Sequence, residues 1–369
     1  MPGSDKRMSQ STLGSGRGFL RSLTDFNVGQ LSVSAGIKAA VLITAILIIG
    51  VLSNHIIESV VAVLGTITVC ALVRKEIKQT IMIRTLILAS IINASVFTIG
   101  SLIGTSYLVV PLFAIGLFII SYFGVYPFHP SILIVSAVVF SVGVAIPGIN
   151  NITPGERFWL FLVGGLWGVP SAITSLSRQV LKKDPAISIV KLSSVKAQLL
   201  TINLGIFHPL ANNMSLESVH FQFAVCFAAI ATMGLLAAQE LGLIRGYWVL
   251  ITICVLLRPD IPFTLSRTAL RIIGTIAGAE LALLILANVH DLWFLYCILF
   301  VFASVFYAVR YVNYALLTFF LTPFVLILFN ILIPGQIYLG HIRILDTMIG
   351  VGLSLLGVLI IRSFSYLKR

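Results

Sequence analysis

Charge is what this chain has least of. Only 10% of its 369 residues are Asp, Glu, Lys or Arg, against roughly a quarter in an ordinary soluble domain. A water-soluble fold of this length would need far more polar surface. Acidic residues are the scarcer sign: 12 Asp plus Glu stand against 24 Lys plus Arg, a formal net charge of +12. Cysteine is also sparse, and Cys70, Cys226, Cys254 and Cys297 lie in apolar runs with no CxxC pair and no accompanying His. They are expected to be reduced packing residues. The sequence has no GxxxxGK[ST] loop, which argues against an ATP-driven pump, and no HExxH or Cys/His cluster, which argues against a metal site. No catalytic residue, metal or cofactor is expected, and the chain is not read as an enzyme.

What is present is apolar bulk. Hydrophobic residues make up 59% of the sequence and the mean hydropathy is +1.08. The apolar runs are long and continuous rather than alternating, which points to membrane-spanning helices and away from an outer-membrane barrel. Runs of spanning length fall at 34–53, 56–73, 81–103, 106–123, 131–148 and 158–177, then at 218–239, 243–257, 268–288, 292–309, 312–333 and 343–363. With the N-terminus placed in the cytoplasm, 21 of the basic residues fall at inner ends and loops. Only Arg157, Arg245 and Arg343 fall at outer ends. That split predicts a multi-pass protein of the cytoplasmic membrane with both termini inside. The basic excess is thereby read as topology and contact with anionic lipid, and no nucleic-acid partner is expected.

The pattern predicts an all-α polytopic membrane protein of about 12 transmembrane helices. The expected divisions are an N-terminal cytoplasmic segment over 1–33, a first six-span repeat over 34–177, a cytoplasmic linker over 178–217, a second repeat over 218–363 and a tail over 364–369. Residues 18–31 place Phe19, Leu23 and Phe26 on one helical face, which suits an interfacial helix. Another surface helix is expected between 186 and 203. The polar start of the chain is expected to be disordered, and no cleavable signal peptide is expected there.

The two halves read as copies. TVCALVRKEI from Thr68 aligns with TICVLLRPDI from Thr252 at an offset of 184, and Arg157–Gly164 aligns with Arg343–Gly350 at an offset of 186. Each repeat has an even number of spans, so both keep one orientation, with a pseudo-twofold axis along the membrane normal. Pro323, Pro130 and Pro170 are expected to interrupt spans.

The stretch 245–285 carries the most specific pattern. It holds Tyr247-Trp248, then Arg258-Pro259-Asp260, then Arg267 and Arg271 ahead of Gly274-Thr275 and Gly278-Ala279. A second block is NYALLTFFLTPFVLIL from Asn313, and a third is RILDTMIGVG from Arg343. In order and content these blocks resemble the fusaric acid resistance and aromatic acid exporter family. The resemblance covers about the last 120 residues and extends to plant aluminium-activated malate transporters, in which two six-span subunits pair around an anion pore. It implies a chain that fuses such a pair and moves aromatic or small carboxylates outward.

The residues fit an anion path. Arg267, Arg271, Thr275 and Gly278 share one helical face, and a guanidinium in hydrocarbon must face water or a partner. Arg74 and Arg258 are repeat mates expected at an inner vestibule between the halves, with Arg84 further along the first-half helix; Asn313 and Tyr314 supply donors. The alternative for Arg74, Arg258 and Arg267 is a role as topology anchors or as ion-pair partners of Glu76 and Asp260. Glu280, about 13 Å beyond Arg271 along the helix, is the candidate proton-coupling carboxyl or else a neutral hydrogen-bonded acid. Arg343 and Asp346, three residues apart, are expected to form a structural ion pair. Tyr247 and Trp248 are expected at the membrane interface. The expected partners are an organic anion and lipid. Oligomeric state is left open between a monomer with a fused pore and a homodimer. The alternatives to export are a passive anion channel and a non-transporting, lipid-binding scaffold.

Overall fold

The computed structural model describes residues 26–74, 77, 79–126, 130–146, 152–172, 210, 213–215, 217–258 and 260–366. Among these, twelve α-helices and no strands are formed. In the first half they are α1 (Val33–Leu52), α2 (Ile56–Leu72), α3 (Gln79–Ile103), α4 (Val109–Tyr122), α5 (Pro130–Ala145) and α6 (Pro154–Gly168). In the second they are α7 (Val219–Glu240), α8 (Tyr247–Leu256), α9 (Ile261–Asn288), α10 (Leu292–Val309), α11 (Tyr314–Leu332) and α12 (Leu339–Tyr366). Glu76, the predicted surface helix over 186–203 and the chain before Phe26 lie outside the described residues. Of the predicted interfacial helix only its end is described, as an exposed 3-10 turn at Val28–Gln30.

The protein is an all-α, multi-pass membrane protein, but its helices are not equal. Seven are long and apolar enough to cross a bilayer, namely those beginning at Val33, Gln79, Val219, Thr264, Leu292, Tyr314 and Leu339. The run expected to span over 243–257 is helical only at Tyr247–Leu256. Ten residues rise about 15 Å, half of a hydrocarbon core. Its backbone turns extended at Leu257, just before Arg258, as that of α2 does at Val73, just before Arg74.

Helix starts are set by local chemistry. Thr153 and Glu156 make a reciprocal capping box at α6, with Pro154 in the first turn. The carboxylate of Asp291 accepts from the Phe294 N–H at 2.8 Å, and the side-chain oxygen of Asn313 accepts from the Ala315 N–H at 2.7 Å. Proline acts differently from expectation at two positions. Pro130 begins α5, and α6 ends at Gly168 before Pro170 is reached; of these three prolines only Pro323 interrupts the interior of a helix. A first-turn proline has no intrahelical N–H bond to lose, which is why Pro130 starts a helix rather than interrupting one.

Neighbours repeat from one half to the other. Helix α2 packs on α6 as α8 packs on α12, and α3 packs on α5 and α6 as α9 packs on α11 and α12. Two helices cross over: α1 packs on α10 of the other half, and α7 packs on α4. Small residues set the closest approaches. A Cβ on Gly164 would meet the Ala62 carbonyl at 1.9 Å, and one on its repeat mate Gly350 would meet Thr252 at 2.7 Å. The middle of the molecule is apolar, where Phe97, Phe161, Val139, Trp248, Ala279 and Leu326 join both halves. In this conformer the space between the halves is therefore packed at that level, not an open passage. Of the cysteines, Cys70, Cys226 and Cys254 are buried as expected, whereas Cys297 is exposed on α10.

Candidate functional site

Four charged side chains are buried among the described residues: Arg157, Arg271, Arg343 and Asp346. Three of them gather in the second half, where α8, α9, α11 and α12 meet. Helix α9 contributes Arg271 and, one turn on, Thr275. Helix α12 contributes Arg343, Asp346 and Thr347, which share a face by their spacing of three and four. Helix α11 contributes Tyr314, and α8 contributes Tyr247 and Trp248.

Packing explains why these side chains converge. Gly274 and Gly278 of α9 lie against Thr318, Ala315, Phe319 and Thr322 of α11, with no room for a Cβ at either glycine. This close parallel approach brings the start of α11, and with it Tyr314, beside Arg271. Helix α12 returns antiparallel, and Gly340 sits against Leu283 of α9. Six residues further along α12, about 9 Å at helical rise, Asp346 comes level with the Thr275 turn.

The geometry is that of charges held apart from water. Arg271 is 2% exposed, Arg343 3%, Asp346 0%, and Thr275 and Thr347 1% each. An Nη of Arg271 donates to the Tyr314 hydroxyl at 3.4 Å, and the guanidinium of Arg343 lies 4.8 Å from the Trp248 ring centroid. Arg271 and Asp346 lie near enough for their charges to act on Arg343. Beyond these contacts the cluster is unsatisfied. Among the described residues, two nitrogens of Arg271, two of Arg343, both oxygens of Asp346 and the hydroxyls of Thr275 and Thr347 have no hydrogen-bond partner. Several other buried hydroxyls bond back to their own helix, as Thr252 does to the Trp248 carbonyl, Thr322 to Thr318 and Ser354 to Gly350. Thr275 and Thr347 do not, and they lie on the helices that carry the buried charges.

The expected Arg343–Asp346 ion pair is not made: no contact within 4.0 Å joins them, although each feels the other's charge. The physical reason is that Arg343 lies over the Trp248 ring instead. That engagement also corrects the expected place of Tyr247 and Trp248: both are buried in the core, not set at an interface.

The other predicted residues disperse. Arg267 is half-buried, with its guanidinium 4.6 Å from the Tyr314 ring centroid, so it borders the cluster on its cytoplasm-predicted side. Arg258 donates to the Val255 carbonyl at 3.0 Å, and burial together with the charge of Arg267 pulls its pKa down to about 10, which leaves it a cation at neutral pH. Arg74 stands elsewhere, donating to Ser131 at 3.0 Å and lying 6.0 Å from the Tyr311 ring. Arg84 is exposed on α3 and Asp260 is exposed after α8. Asn313 spends its side-chain oxygen on capping α11. Glu280 is exposed on the outward face of α9 with Ile273, Ile276 and Leu284, away from Arg271.

Asp346 and Thr347 carried a sequence signal that spacing alone did not decode. An acid and a threonine sit inside an apolar run, but only the packing of α12 on its neighbours shows that they are buried in the protein and do not face lipid.

Residues 217–357 match the family described as fusaric acid resistance protein-like, and the whole cluster lies inside that stretch. The chain is 34% identical over 142 residues to the inner membrane protein YccS of Escherichia coli (strain K12), which is 38% of this chain and 20% of that protein. It is 29% identical over 143 residues to the uncharacterized protein ORF2 of Neisseria gonorrhoeae, 38% of this chain and 34% of that one. The chain thus spans about a fifth to a third of the length of these relatives. No solved structure matches.

Proposed function

We propose, for a chain whose residues 217–357 match the fusaric acid resistance protein-like family, that the protein transports organic anions across the cytoplasmic membrane and binds them at the Arg271–Arg343 cluster. The observation that carries this reading is the set of guanidinium nitrogens on Arg271 and Arg343 that are buried with no acceptor. An unpaired buried cation costs several kcal/mol even after relaxation. A carboxylate bound between the two arginines offsets that cost with charge-assisted hydrogen bonds, and the Thr275 and Thr347 hydroxyls are free to join it. Aromatic or small carboxylates are the substrate class, in keeping with the family resemblance.

The site belongs to one half. At the repeat offsets, Ile87 stands where Arg271 does, and Leu160 where Asp346 does. We take the first six helices as the frame against which the second six work, with both termini in the cytoplasm and the basic inner ends gathering anions there. An anion that crosses without a proton is driven out of a negative-inside cell by the membrane potential at about 2.3 kcal/mol per charge per 100 mV. The sealing of the cluster favours a carrier that closes over its substrate against a permanently open channel.

Proteoliposomes holding the full chain test this. Benzoate or malate flux is expected to fall at least about tenfold in Arg271→Gln, the loss of one charged hydrogen-bonding group, and to stay near wild type in Arg84→Gln. Equal losses in the two variants sink the assignment. An ohmic current with no saturation in anion concentration favours the channel instead, and no flux of any organic anion leaves the scaffold.

A further inference from the structure

We infer that Asp346 competes with the transported anion for Arg271 and Arg343, so that each anion bound brings one proton into the site. This deepens the anion-transport reading above and rests on it.

The argument begins with charge. With Asp346 ionised, the three buried groups sum to one positive charge; with it protonated, they sum to two. Asp346 is fully buried, neither of its oxygens has a donor among the described residues, and it lies three residues from Arg343 on the same face of α12. Its charge and that of Arg271 both act on Arg343, so a carboxylate that takes Arg343 enters the field of Asp346. Two carboxylates cannot share one buried pair of guanidiniums without strong mutual repulsion, and such pairs are relieved when one takes up a proton. The arriving anion keeps the arginines, and the proton goes from solvent to a carboxyl oxygen of Asp346. Protonated, that group is no longer a rival acceptor and becomes a donor. No bond other than that O–H is made or broken.

Among the described residues, the groups around Asp346 are these. On α12 itself Arg343 acts on Asp346; α9 presents Arg271 to Arg343; and from α8 comes Tyr247, whose hydroxyl is within electrostatic reach of Asp346. From α11 comes Tyr314, bonded to Arg271. Helix α7, also packed on α12, presents Cys226 to the Gly357 carbonyl, eleven residues beyond Asp346. The other intramembrane acid, Glu280, faces outward from α9 and does not meet the arginines.

The linkage has a definite sign. Protonation of Asp346 favours anion binding, so affinity is highest in acid and falls as pH rises through the range where the empty site loses its proton. The fall approaches tenfold per pH unit, the limit for one linked proton.

Calorimetry of benzoate binding to the solubilised full chain reads this directly. Paired buffers of different ionisation enthalpy, between about pH 5 and 9, give the proton count. The expected result is uptake of close to one proton per benzoate on the alkaline side, with affinity falling as stated. Asp346→Asn should bind benzoate at the acid-limb affinity at every pH with no proton uptake. Wild-type binding without proton uptake anywhere in that range overturns the inference and leaves the anion site standing, and so does an unchanged pH dependence in Asp346→Asn. Absence of wild-type binding for benzoate, malate and citrate alike overturns the anion reading itself. The wild-type measurement decides the matter even where Asp346→Asn does not fold.

Discussion

The hydroxyl of Tyr314 accepts a hydrogen bond from Arg271 at 3.4 Å, while the ring of the same tyrosine lies under Arg267, 4.6 Å from its guanidinium carbon. One aromatic side chain thus steadies two cations in different ways. Tyr314→Phe keeps the ring and removes the one hydrogen-bond acceptor that Arg271 has among the described residues. We expect that variant to lose about 1.5–3 kcal/mol of stability without substrate, the value of a hydrogen bond to a charged group, and to regain part of it when anion is added. Thermal unfolding with and without benzoate measures both. Tyr314→Leu, which also removes the face under Arg267, is expected to be the more damaged of the two.

The approach of α9 to α11 rests on Gly274 and Gly278. A Cβ at Gly274 would stand 1.9 Å from the Thr318 hydroxyl oxygen and 2.5 Å from the Ala315 carbonyl. Backbone cannot yield there, so Gly274→Val forces the helices apart. The expected cost is at least about 1–3 kcal/mol of overpacking, with loss of anion binding because Arg271 and Tyr314 separate. Gly352, exposed with nothing within 4 Å of a Cβ, is the contrast. Gly352→Ala should gain roughly 0.5–1 kcal/mol from helix propensity and leave binding unchanged. Similar melting temperatures for the two variants would contradict this packing account.

Much of this architecture was legible in the sequence, for reasons that also mark where legibility stopped. Apolar runs long enough to span declare themselves because the backbone in lipid has few options, and α1, α10 and α11 begin and end within two residues of expectation. Arg271 was identifiable because a guanidinium deep in an apolar helix demands an explanation. The half-length of α8 was not legible, since composition does not distinguish a buried ten-residue helix from a span. Nor was the role of Asp346. Spacing on α12 paired it with Arg343, and only the neighbouring helices show that Arg343 turns to the Trp248 ring and leaves Asp346 buried without a bonded partner among the described residues. The expected passage between the halves was drawn from symmetry, whereas the packed ring side chains of Phe97 and Phe161 occupy that middle.

A latch joins the halves away from the cluster. Arg310, after α10, donates to the Cys70 and Val73 carbonyls at the end of α2, and Tyr311 donates to the Val73 carbonyl at 3.1 Å. These bonds satisfy the orphan carbonyls of a helix terminus with a cation, a favourable match to its dipole. Arg310 and Cys70 also line one small cavity with Ala39, Ser171 and Tyr307. Arg310→Ala should loosen this corner and expose the Cys70 thiol, which is 2% exposed with Arg310 in place. In a Cys297→Ser background, which removes the exposed cysteine, labelling of Cys70 by a membrane-permeant maleimide should rise severalfold. Unchanged labelling would mean that Tyr307 and Tyr311 hold the joint without Arg310.

Glu280 supplies the sharpest separation between position in sequence and position in space. It sits nine residues beyond Arg271 on the same helix, yet half a turn out of phase, because nine residues at 100° each leave it on the opposite side. The structure accordingly exposes it among Ile273, Ile276 and Leu284. A carboxyl on that face meets lipid or a neighbouring molecule, not the arginines. Glu280→Gln should therefore leave anion flux and its pH dependence within about twofold of wild type, whereas Asp346→Asn abolishes the pH dependence, since only a group sharing the arginines is linked to their ligand. Flux measured at several external pH values in matched proteoliposomes compares the two. Loss of proton dependence in Glu280→Gln with its retention in Asp346→Asn would return the coupling role to α9 and its outward face.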